Sequence, residues 1–175
     1  MNANPIFFEE QQTGPPWVRL LAGCTCLLAG GTAIYGAYQQ LYLHQPFGNR
    51  PMSDRALVIF TISMLVFVVA MALLFFKMRL TTRVDAQQIH VRMLPFLNRR
   101  IPLSRVARWE PCTYRPILDY GGWGIRYSWR QKGWAYNISG NRGLRLELTS
   151  GKRLLIGSQH PEEFAAALAG ATERV

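Results

Sequence analysis

ALVIFTISMLVFVVAMALLFF, residues 56–76, carries no charged side chain, and its only hydroxyls are those of Thr61 and Ser63. A helix of this length spans about 30 Å at roughly 1.5 Å per residue, the hydrocarbon thickness of a bilayer. Lys77, Arg79 and Arg83 follow at once, and beyond them the chain is basic and patterned like a sheet. The stretch therefore separates a membrane anchor from a following domain.

A second uncharged run, LLAGCTCLLAGGTAIYGAYQQLYL, covers residues 20–43 and contains Gly23, Gly30, Gly31 and Gly36. Both runs exceed the length at which a buried core helix is the better reading. A cleaved signal peptide would have a cationic start, a shorter apolar stretch and a small-residue cleavage site. Here Glu9, Glu10, Pro15 and Pro16 lead, with Arg19 the only basic residue ahead of the run. We expect a tail over residues 1–16, then retained spans over residues 17–43 and 56–76. Trp17, Tyr38 and Tyr42 stand at the ends of the first span, where amphipathic rings favour the membrane interface. Residues 44–55 contain Pro46, Gly48, Asn49 and Pro51, which is turn chemistry, so the spans form an antiparallel hairpin with a short external loop.

The net charge of +10 is unevenly placed. Residues 1–76 hold three bases (Arg19, Arg50, Arg55) and three acids (Glu9, Glu10, Asp54), so the excess lies wholly in residues 77–175. The loop offers Arg50 and Arg55 against Lys77, Arg79, Arg83 and Arg92 after the second span, a bias that directs both termini to the cytoplasm. Nucleic acid and anionic headgroups are the two obvious partners of a basic domain, and a membrane tether favours headgroups over nucleic acid. Cys24, Cys26 and Cys112 make no disulfide or metal framework, and His44, His90 and His160 have no ligand spacing. No metal or cofactor is expected.

Residues 77–169 read as short strands. Residues 79–84 lead through Asp85, Ala86 and Gln87 into 88–93, where Ile89, Val91 and Met93 share a face, so the pair forms a hairpin. Strands are expected at 99–103, 106–114, 125–129, 134–138, 144–148 and 153–156, separated by turns rich in Gly, Pro and Asn. Leu144, Leu146 and Leu148 alternate with Arg145, Glu147 and Thr149, the pattern of a half-buried antiparallel strand. The period then changes. Pro161 with Glu162 and Glu163 opens a helix, Phe164 and Leu168 form its apolar stripe, and Gly170 can end it. Residues 170–175 are left as a tail. The expected fold is a two-span helical hairpin followed by a mainly β small barrel, or pair of orthogonal sheets, with a C-terminal helix.

The phrases YRPILDYGGWGIR (114–126), GWAYNISGNRGLRLEL (133–148) and LLIGSQHPEEF (154–164) resemble the wording of one group of membrane-anchored pleckstrin-homology-like proteins of bacteria. The likeness covers roughly residues 79–169. It implies a pleckstrin-homology-like barrel with a C-terminal helix and a place in the bacterial cytoplasmic (inner) membrane; it implies no catalytic activity and no particular binding residues.

Residues 109–145 interleave aromatic rings with arginines, a composition that suits a bilayer interface, stacking on single strands, or a protein partner. Against these stands the ordinary reading of inward rings and solvated cations. Candidate lipid or partner contacts are Arg99, Arg100, Arg115, Trp123, Arg126, Arg130, Lys132 and Arg142. Gly121, Gly122 and Gly124 around Trp123 lack the lysine and strand-to-helix setting of a phosphate loop, so a tight bend presenting the indole is expected. The acids of the domain include no visible catalytic pair, which points away from an enzyme.

Ala22, Cys26, Ala29, Ala33 and Ala37, with Gly30 beside them, form a stripe of small residues that permits close helix approach. That stripe either seats the second span or receives another helix. Two functions are thus expected: a non-catalytic scaffold, accessory or assembly subunit binding another membrane protein or its own copies, and, as the alternative, a sensor of anionic headgroups.

Overall fold

The computed structural model describes residues 5–128 and 133–173. They divide into two compact units, residues 16–77 and the remainder on either side of them.

The apolar unit consists of α1 (Pro16–Ala37), which continues through a π-helical segment, Tyr38–Tyr42, and α2 (Asp54–Lys77). Together these make helices of 27 and 24 residues, both long and apolar enough to cross a membrane. Their most apolar stretches are only 17% and 6% buried, whereas a core helix of a water-soluble protein hides most of its surface. Gly30, Ala33 and Gly36 are the buried residues of α1, and Leu57 and Thr61 those of α2. A methyl group on Gly30 would meet Leu65 and Val68 at ordinary contact distance, while one on Gly36 would lie 2.8 Å from the Phe47 ring.

The other unit contains nine strands among the described residues. The first is β1 (Ile6–Thr13), so the segment expected to be a tail is a strand. It pairs antiparallel with β2 (Arg79–Asp85), Thr13 opposite Arg79. β3 (Gln88–Met93) and β4 (Leu97–Pro102) continue the meander into a four-stranded sheet. Asp85 closes the β2–β3 turn by accepting the Gln87 and Gln88 amide hydrogens at 2.8 Å each. Alternation sends Leu80, Thr82 and Val84 inward with Ile89, Val91 and Met93.

The second sheet has the order β5 (Val106–Thr113), β8 (Arg142–Leu148), β9 (Arg153–Gly157), β7 (Gly133–Asn137), β6 (Gly124–Ser128). The β6–β7 hairpin falls between β5 and β8 in sequence but is carried to the far side of β9, where β7 runs parallel to it. A short α3 (Pro116–Tyr120) lies in the connection from β5. No closed barrel forms among the described residues; each sheet keeps two edges.

The inward faces share one core, in which Leu80, Ile89, Met93, Leu144, Leu146 and Ile156 are almost wholly buried. α4 (Pro161–Thr172) covers it with Phe164, Leu168 and Ala171, none of which is exposed. Phe8 of β1 stacks on Phe164 at 4.9 Å. The helix runs through Gly170 to Thr172 rather than ending at the glycine, and burial of Ala171 offsets most of the roughly 1 kcal/mol cost of an internal glycine.

Where β8 meets β9, Gly143 faces Gly157. A Cβ on Gly143 would stand 2.4 Å from the Ile156 carbonyl oxygen, a backbone atom unable to yield cheaply. Gly143→Ala is therefore expected to cost about 3 kcal/mol, the upper part of the usual overpacking range, measured as the denaturant midpoint of the full chain in detergent.

Candidate contact surface

The outer face of the second sheet carries a groove of about 340 Å³ lined by Arg108, Glu110, Arg145, Glu147 and Arg153. Its charges alternate because the antiparallel register sets Arg108 opposite Glu147, Glu110 opposite Arg145, and Glu147 opposite Arg153. Arg145 donates to the Glu110 carboxylate at 2.7 Å. Three cations and two carboxylates leave the groove with one net positive charge (3 − 2). Such a surface suits a partner presenting both signs, and it is not a cradle for a lone anion. The outward positions of residues 145–149 are legible in the sequence, but the neighbouring strands that complete the groove are not.

At one end of this sheet a second groove of about 580 Å³ is lined by Tyr127, Gly133, Trp134, Gly151, Lys152 and Arg153. Tyr127 and Trp134 meet edge to face at 5.3 Å, and Trp134 remains 43% exposed. Tyr, Trp and Arg gathered on an exposed rim are the side chains that most often anchor protein interfaces. Arg153 borders both grooves, joining them into one surface. Tyr127 and Trp134 belong to the aromatic and basic segment 109–145 that the sequence singles out, whereas Gly151, Lys152 and Arg153 lie beyond it.

The candidates from the sequence lie elsewhere, and several are tied to their own fold. Arg99 donates to the Tyr136 hydroxyl, with its guanidinium 5.8 Å from that ring's centroid. Arg142 pairs with Glu162 at 2.6 Å, on the first turn of α4. Trp123 is half-buried and donates its indole N–H to the Gly140 carbonyl at 2.9 Å, so it fastens the bend rather than projecting from it. Arg126 donates back to the Trp123 carbonyl at 3.1 Å. Arg115, exposed, precedes α3, and its backbone N–H donates to Asp119. Arg100 is exposed on β4 opposite His90. Arg130 and Lys132 lie outside the described residues. The register brings Arg115, Trp123, Arg126 and Arg142 toward one end of the second sheet but leaves Arg99 and Arg100 on the first.

Between α3 and the second sheet is a smaller cluster of Tyr114, Tyr120, Ala135 and Leu155, with Cys112 against it. Asn137 donates to the Tyr114 hydroxyl at 3.0 Å and accepts the Gly124 amide hydrogen at 2.9 Å. Burial pushes the Tyr114 hydroxyl up to about 12, against the lowering effect of the Asn137 bond. Burial likewise raises Tyr120 and the Cys112 thiol. Unfolded, Tyr114 ionises near its ordinary 10.0, so between that pH and about 12 the native state keeps a proton that the unfolded state loses. Stability is thus fully present below the unfolded value and falls as pH climbs through this window, by on the order of 2 kcal/mol. Tyr114→Phe should lower stability at neutral pH by about 1 to 2 kcal/mol through the stranded Asn137 donor while flattening the alkaline loss. Denaturant midpoints of both chains from neutral pH to strong alkali check this.

In the apolar unit the small-residue stripe divides. Gly30 and Ala33 pack against α2, whereas Ala22, Cys26 and Ala29 line an open apolar groove of about 330 Å³ with Met64, Phe67 and Met71. Ala37 is half-buried, and Gly36, outside the stripe, makes the closest approach at that end.

A scan against protein-family models and searches of curated proteins and of solved structures find no match for this chain.

Proposed function

We propose that this chain is a non-catalytic, two-span membrane protein that acts as a scaffold or assembly subunit, binding another membrane protein or its own copies. The observation that carries the reading is the discontinuous unit: β1 before the apolar hairpin and β2 after it belong to one sheet. A chain that leaves a folded unit, forms two long apolar helices and returns to the same unit has both ends on one side of any membrane it crosses twice. The cations after α2 favour the cytoplasmic side of a bacterial inner membrane.

Binding of a protein, rather than of headgroups alone, is favoured by the way the charges are spent. Arg83 pairs with Glu9, Arg142 with Glu162 and Arg145 with Glu110, and the groove beside Arg145 alternates in sign. The adjoining Trp134 and Tyr127 supply aromatic anchors. On this reading the domain is a variant of the pleckstrin-homology-like arrangement: one sheet β1–β4, a β5–β8–β9 meander under a C-terminal helix, and the β6–β7 hairpin added at its edge.

Extraction in mild detergent followed by mass analysis of the intact complex tests the proposal. A stable partner or oligomer, weakened by Trp134→Ala together with Arg153→Glu, is expected. A lone monomer from both native membrane and overexpressed protein overturns it.

A further inference from the structure

In the four-stranded sheet, Thr13 lies opposite Arg79, and Leu80 lies opposite Met93. The β3–β4 turn, residues 94–96, is therefore level with the ends of β1 and β2 that lead into and out of the apolar hairpin. Thr13 is three residues ahead of the start of α1 at Pro16, and Arg79 two beyond the end of α2 at Lys77. The chain from Lys77 to Leu80 can span at most about 10 Å, and neighbouring strands are only about 5 Å apart. If the helices cross a bilayer, so short a tether holds this end of the sheet within about 10 Å of the point where α2 leaves it.

The side chains of this turn are unusual for a surface in water. Leu94 is 47% and Phe96 58% exposed, one on each side of Pro95, although Met93 just before them is buried in the core. The Phe96 amide hydrogen bonds to the Met93 carbonyl at 2.9 Å, which closes the turn. Arg79 and Arg92 at the same end are exposed, and neither has an ion-pair partner among the described residues. The turn at the opposite end of β2 and β3 presents Asp85 and Gln87 instead. Two apolar side chains flanked by unpaired arginines match a bilayer surface, where rings and aliphatic groups enter the acyl boundary and cations meet phosphate.

We propose that the β3–β4 turn is a membrane-docking wedge, inserting Leu94 and Phe96 into the interface of the bilayer that the hairpin spans, with Arg79 and Arg92 on lipid phosphates. The inference rests on the two-span reading. It adds a second attachment, which holds the sheet against the lipid and leaves the grooves of the other sheet to a partner.

The test uses the full chain with Cys24→Ala, Cys26→Ala and Cys112→Ala, carrying one new cysteine at a time: Phe96→Cys, Gln87→Cys or Val66→Cys. Each is spin-labelled and reconstituted into vesicles of phosphatidylethanolamine and phosphatidylglycerol. Collisions with oxygen report lipid, and collisions with a water-soluble nickel chelate report solvent. The label at 66 is expected to see oxygen and not nickel, that at 87 nickel, and that at 96 to lose most nickel collisions while gaining oxygen. A label at 96 as open to nickel as that at 87, or shielded from both reagents by protein, overturns the wedge while the spans stand. A label at 66 open to nickel overturns the spans, and the wedge with them.

Discussion

Deleting residues 1–13 is expected to abolish cooperative folding of the mixed unit, although these residues precede the first apolar helix. β1 pairs with β2 from Phe8 to Thr13 and closes one side of the core. Its Phe8 ring lies on Phe164, and Gln12, only 5% exposed, donates to the Gly157 carbonyl at 2.9 Å. Glu10 accepts from the Ser158 hydroxyl at 2.6 Å and from the Gln159 amide at 2.8 Å, fastening the strand to the approach of α4. An aromatic contact, a buried amide bond and two bonds to a carboxylate together amount to on the order of 5 kcal/mol, comparable to the whole stability of many domains. Intact helices with a unit that is degraded by brief proteolysis, and that shows no denaturant transition, would be the expected result. A truncated chain as protease-resistant as the parent would show that β1 is dispensable. Glu10→Ala alone should cost about 2 kcal/mol, since it strands two donors rather than removing a strand.

Phe164→Ala is expected to cost about 3 to 5 kcal/mol, the range for emptying an aromatic site in a close-packed core. The ring is fully buried and belongs to the helix that covers the core where β1 closes it. Its removal therefore weakens α4 and β1 together. Phe164→Leu keeps most of the apolar volume and should recover more than half of the loss. Unfolding midpoints of the full chain in detergent measure both, and a loss below about 1 kcal/mol for the alanine variant would contradict the packing described.

The local elements were legible in the chain because their signals are local. The absence of charge across residues 56–76, the period-two alternation at Ile89, Val91 and Met93 and at Leu144, Leu146 and Leu148, and the proline that opens α4 each act within a few neighbours. β1 was missed for the same reason. IFFEEQQT carries no long alternation, and its polar run from Glu9 to Gln12 hides the strand, because Glu9, Glu10 and Gln12 are spent on Arg83, on Ser158 with Gln159, and on Gly157. Those partners lie from 74 to 149 residues away, beyond any window of sequence.

The contact surface divides in the same way. That aromatic rings and arginines crowd residues 109–145 is written in the sequence, but which of them face outward depends on pairing. Trp123 and Arg99 looked available and are held by Gly140 and Tyr136. Arg108 and Arg153, 45 residues apart in sequence, line one face because β8 lies between their strands. By itself the sequence determined two long apolar helices, a basic mainly β unit and a closing helix, since hydrophobicity and repeat period are properties of neighbouring residues. Only the tertiary structure decided that the strand Ile6–Thr13 is part of that unit and, among the described residues, that the sheets stay open and which arginines are free. Those outcomes depend on contacts between distant segments, whose loop-closure cost is met only when the whole core forms.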